Sequence, residues 1–104
     1  MSRGPDAATL LGRALTANAE AAGCPVAVQS ADWTRWASAT FTGARHMLSL
    51  SAPPSPELTA WIAALPEAEI ALRGHLLADL SVVAARHARD TITIELEVLT
   101  VEER

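Results

Sequence analysis

The stretch from Thr91 to Val101 constrains this chain more than any other: Ile92, Ile94, Leu96 and Val98 alternate with Thr91, Thr93, Glu95 and Glu97. A period of two with β-branched enrichment is the pattern of a half-buried strand. Such a strand needs a neighbour to satisfy its backbone.

Residues 76 to 84 supply one, because Leu76, Ala78, Leu80, Val82 and Ala84 alternate with Leu77, Asp79, Ser81 and Val83. Leu72, Leu76, Leu80 and Val83 also fit a helical stripe, and alanine and leucine favour helix. The partner segment decides for a hairpin of residues 76 to 84 against 92 to 100. With its turn centred near Ala88, residue 84 pairs with 92, 82 with 94, 80 with 96 and 78 with 98. That register gathers the aliphatic residues on one face, and a one-residue slip would send them to the other.

Two helices are expected. Pro5 and Asp6 offer start chemistry, Gly23 and Pro25 a stop, and Ala8, Leu11, Leu15, Ala19 and Ala22 a stripe, which places the first helix at residues 6 to 22. Ser55 as N-cap and Pro56 as first helical residue open the second. Leu58, Trp61, Ile62 and Leu65 follow at helical spacing, and Pro66 closes the run.

Between the helices come short alternating runs: Val26 and Val28, then Ala37, Ala39 and Phe41, then His46, Leu48 and Leu50. Thr42, Gly43 and Ala44 lie between the last two as the expected hairpin turn, and the first run adds an optional extra strand. The expected fold is therefore α+β, a two-layer sandwich with two helices on one face of an antiparallel sheet, in the order α-β-β-(β)-α-β-β. At 104 residues it is a single domain, 1 to 104, with residues 1 to 5 flexible and 102 to 104 frayed.

Composition removes whole mechanisms. All eight basic residues are arginine and tyrosine is absent, so a Schiff-base or P-loop lysine and a tyrosine acid or nucleophile are excluded. Alanine at about a fifth of the chain, with arginine in place of lysine, points to a GC-rich bacterial genome. A net charge of −4 with scattered arginines gives no basic stripe for a phosphate backbone, so no nucleic-acid partner is expected. No signal peptide and no apolar run near the roughly 20 residues of a membrane span occur, and the expected location is the cytoplasm. The single Cys24 has no partner for an internal disulfide and reads as a packing residue. No cofactor is expected.

Three sets of side chains are candidates for function. Trp33, Arg35 and Trp36, with Arg45 and His46, make a ligand site in which aromatic rings flank a guanidinium that takes an anion. The hairpin register places Asp79 opposite Glu97, with His75 on the same face, so these three make a candidate site for a divalent metal or for acid and base chemistry. The same face carries Leu77, Leu99 and Val101, poorly placed in water. Leu77, Asp79, Glu97, Leu99 and Val101 together read as an interface for a protein partner or a second copy of the chain. With no catalytic motif present, a non-enzymatic binding or assembly protein, homo-oligomeric through the C-terminal hairpin, is the first functional expectation. A small metal-binding enzyme and a ligand-responsive module stand behind it.

Overall fold

The computed structural model describes residues 6–103. Two helices and a four-stranded antiparallel sheet follow one another as α1 (Ala7–Ala21), β1 (Ala27–Ala37), β2 (Thr42–Ala52), α2 (Pro56–Ala64), β3 (His75–Ala88) and β4 (Thr91–Glu102). The fold is α+β in the order α-β-β-α-β-β, and the strands lie side by side as β1-β2-β4-β3. The optional extra strand is not formed, because Val28 belongs to the same continuous strand as Trp33 and Trp36.

Each helix is bounded by local chemistry. The Asp6 carboxylate accepts from the Thr9 N–H at 2.9 Å, satisfying a donor that the first helical turn leaves free. At the other end Gly23, with φ of 85°, turns the chain: Cys24 N–H reaches the Ala19 carbonyl and Gly23 N–H that of Glu20, each at 3.0 Å. This pair of bonds closes the helix in the left-handed conformation that glycine adopts without a Cβ clash. In α2 the Ser55 hydroxyl accepts from Leu58 N–H at 3.0 Å ahead of Pro56. Pro66 ends the helix in a single 3-10 turn, Leu65–Glu67. Pro5, the other expected start residue, lies outside the described residues, as do the flexibility expected of residues 1 to 5 and the fraying expected at Arg104. Glu102, also expected to fray, pairs with His75, and Glu103 N–H donates to the Gly74 carbonyl at 2.9 Å.

The buried residues of both helices share one core with one side of the sheet. Leu11, Leu15 and Ala19 from α1, with Leu58 and Trp61 from α2, join Leu48 and Leu50 of β2 and Ile94, Leu96 and Val98 of β4. Trp61 ties the helices together, its Nε1–H donating to Asn18 Oδ1 at 2.7 Å. Cys24 is buried in the same cluster, where burial and then the nearby Glu57 push its thiol up.

The first hairpin turns elsewhere than the sequence suggests. Ser38 to Phe41 form the turn, with Ser38 N–H donating to the Phe41 carbonyl at 2.7 Å and the Ser38 hydroxyl accepting from Thr40 and Phe41 N–H. Gly43 stands inside β2, paired with Trp36 on one side and Val101 on the other. A Cβ there would lie 1.9 Å from the Thr100 carbonyl oxygen and 2.9 Å from the Trp36 ring. The glycine marks a close approach of two strands, which in sequence resembles a turn residue.

The second hairpin is present in a different register. Its turn is Arg89-Asp90, Ala88 pairs with Thr91, and Ala78 and Val83 stand unpaired as bulges. Leu80 faces Val98 and Val82 faces Leu96, so the expected pairings of 80 with 96 and 82 with 94 do not occur. The bulge at Ala78 also changes which way the start of β3 faces: Leu77 lies opposite buried Thr100, and Leu76, expected in the core, is 54% exposed.

Candidate functional site

Alternation along β1 and β2 divides the predicted ligand set. Trp33 pairs with His46 and Arg35 with Ala44, so these side chains rise on the face that carries the core. Trp36, opposite Gly43, and Arg45, opposite Thr34, rise on the other. Three of the five residues, Trp33, Arg35 and His46, line one cavity; Trp36 and Arg45 do not.

His75 was placed on the outer face by the sequence, and the Ala78 bulge returns it to the inner one, where it lines that same cavity. The predicted metal set is thereby split, with His75 on one side of the sheet and Asp79 and Glu97 on the other. Asp79 pairs with Leu99 and Glu97 with Ser81, so the two carboxylates are diagonal neighbours and not directly opposed. Arg45, across Leu99 from Asp79, shares a shallow cleft with both and donates to Glu97 Oε2 at 2.6 Å. The direct opposition expected from the sequence is thus removed by the register, and Glu97 is paired with a guanidinium from β2. Among the described residues no three His, Cys, Asp or Glu side chains converge for a metal ion.

Two features remain as candidate sites. One is the inner cavity, whose floor is built by the seam between β2 and β4. His46 is 2% exposed and its Nε2 lies 2.9 Å from the hydroxyl of fully buried Thr100. The single Thr100 hydroxyl proton can reach the Ala44 carbonyl, at 3.4 Å, while the contact to His46 is kept only in the tautomer in which Nε2–H donates to the Thr100 oxygen; we assign that tautomer, which leaves the imidazole lone pair on Nδ1. Burial above all, and then the neighbouring His75, lowers the pKa of His46, with Asp6 partly offsetting them. The surroundings of His46 therefore favour the neutral imidazole over the charged form. Nothing in a lone His46 among alternating residues distinguishes it from a core leucine position. His75 escaped assignment to this cavity because the bulge that turns it inward has no sequence mark.

The other feature is the outer face. One row across all four strands reads Trp36, Gly43, Val101 and Leu76, and the next reads Thr34, Arg45, Leu99 and Asp79. Beyond them come Asp32, Met47, Glu97 and Ser81, then Ser30, Ser49, Glu95 and Ala84. The face is apolar at the end near Phe41 and polar at the end near the Arg89-Asp90 turn. Four of the five predicted interface residues, Asp79, Glu97, Leu99 and Val101, lie on it, and Leu77 packs into the core instead. Arg86 pairs with Glu95 as Arg45 does with Glu97, so most of the charge on this face is matched within the chain.

No helix among the described residues is long and apolar enough to cross a membrane. Neither a protein-family model, nor a curated protein, nor a solved structure matches this chain.

Proposed function

We propose that this chain is a non-enzymatic binding or assembly protein of the bacterial cytoplasm that self-associates through the outer face of its sheet. The observation that supports the reading is the apolar end of that face, where Leu76, Val101 and Leu99 adjoin Trp36 and Met47, with Leu76 54% and Met47 46% exposed. Apolar side chains gathered on one surface and bordered by polar ones are the composition of an interface centre and its rim.

A second copy is the partner that fits best. Two identical faces related by a twofold axis bring apolar end against apolar end, and each charged residue of the Arg45–Glu97 and Arg86–Glu95 pairs is already matched within its own chain. Asp32 and Asp79 are the carboxylates of this face without an arginine of their own among the described residues, and they lie outside the row of Trp36, Val101 and Leu76 on which the contact would centre. A stable dimer would cover about 800 Å² on each copy.

Light scattering after size exclusion tests the reading. The expected mass is twice the 11.0 kDa of the chain, falling to the single chain in Leu99→Arg and Leu76→Arg. A wild-type protein that stays monomeric at high concentration would remove the proposal.

A further inference from the structure

Between the first turn of α1 and the end of the sheet where β3 begins lies a cavity of about 170 Å³. Its depth and its rim differ in chemistry. Deep inside, His46 and Thr100 are buried and hydrogen-bonded to each other, and His75 Nδ1 is buried without a partner among the described residues. At the rim stand the exposed carboxylates of Asp6 and Glu102, the guanidinium of Arg35 and the half-exposed ring of Trp33.

We propose that this cavity binds a small protonated primary amine, its ammonium directed to the ring nitrogens of His46 and His75 and its alkyl part against Trp33. This inference is independent of self-association, which uses the opposite face of the sheet.

The occupant is chosen by what the buried groups lack. The Thr100 hydroxyl takes the Nε2 proton of His46, which leaves Nδ1 as an acceptor without a protein donor among the described residues. His75 also lines the cavity, and its Nδ1 has no partner among the described residues. An ammonium group carries three donors and no acceptor, which matches ring nitrogens that lack a donor. An anion would meet the His46 lone pair and two carboxylates.

Charge at the rim agrees. Asp6 and Glu102 oppose the single cation Arg35, and each carboxylate spends one oxygen locally, on Thr9 N–H and on the Thr42 hydroxyl at 3.0 Å. One oxygen of each is left for a ligand cation. The positive end of α1 faces this space and works against a cation, an effect that the carboxylate of its cap, Asp6, opposes. Trp33 presents an aromatic wall that attracts a cation or packs on its alkyl chain.

Three probes of matched size separate charge from shape: propylammonium, propionamide and propionate. Long-range proton–nitrogen spectra of the imidazole rings and the tryptophan fluorescence are recorded on the whole chain at equal concentrations and ionic strength. Propylammonium is expected to shift the His46 and His75 ring signals saturably, while propionamide and propionate leave them in place. Trp33→Leu and Glu102→Gln, both at exposed positions, should weaken binding, the first by about tenfold, with an unchanged circular dichroism spectrum. The proposal is overturned if propylammonium gives no saturable shift, if propionamide binds as well, if propionate binds better, or if both variants bind like the wild type.

Discussion

The two hairpins of this sheet solve the same problem by opposite means. β1–β2 turns through four residues, and the Ser38 hydroxyl supplies acceptors for the N–H groups of Thr40 and Phe41. β3–β4 turns through two, with Arg89 at φ of 59°, a conformation in which a non-glycine residue is strained. The interiors are reversed as well. The first hairpin takes up one extra residue, Gln29, far from its turn and keeps an even ladder from Ser30 to Gly43, where backbone approach forbids a side chain, whereas the second absorbs two, Ala78 and Val83. Side-chain chemistry closes one turn and backbone strain the other, and the tight point of the sheet lies at the seam, where β2 meets β4.

The seam should be the most sensitive place. Gly43→Ala sets a Cβ against the Thr100 carbonyl, and a loss of about 3 kcal/mol or more is expected, read from urea unfolding. If alanine costs no more there than on exposed β1, the close approach is not real.

Acid comes next. The His46 pKa is lowered in the folded chain, so as pH falls below about 6.5 the unfolded chain takes up the proton first and stability is lost. Asp6, held low chiefly by its hydrogen bond from the Thr9 backbone, adds a loss in the same direction at more acidic pH. The unfolding midpoint should fall between about pH 8 and about pH 5, and His46→Gln, which keeps a donor for Thr100, should flatten that slope.

The turns should then respond with opposite signs. Ser38→Ala removes an acceptor from two N–H groups and should cost about 1 kcal/mol. Arg89→Gly relieves the positive φ and should add about 0.5 to 1 kcal/mol. Equal signs would mean that the two turns are not built differently. The smallest effect belongs to the Arg86–Glu95 pair: exposed on the sheet surface, it is worth a few tenths of a kcal/mol at most, and Arg86→Ala should matter less still at high salt.

The same contrast explains what could be read in advance. The caps at Asp6 and Ser55, the stop at Gly23 and the alternation of Ile92 to Val98 are local, and each was legible because the residue that acts is the residue that forms the element. The bulges were not. Leu76-Leu77 and Val82-Val83 each set two aliphatic residues in succession, so alternation has no unique phase there, and only pairing with β4 shows which one turns outward. Arg89 carries none of the glycine or asparagine that marks a two-residue turn. Gly43 misled for a related reason: a glycine demanded by a neighbouring strand looks in sequence like one demanded by its own φ. The candidate sites inherited these errors. His75 was assigned to the wrong face, and the Asp79–Glu97 opposition became a diagonal pair in which Arg45 bonds Glu97.

By itself the sequence determined the α+β class, both helices, the C-terminal hairpin and a mixed outer face, since those follow from propensity, capping and period within short windows. Tertiary structure decided the strand order β1-β2-β4-β3, the register and the meeting of His46, His75 and Thr100 at one cavity. These depend on which strands pair and where each ladder takes up an extra residue, and a backbone spacing between distant segments leaves no mark on either segment alone.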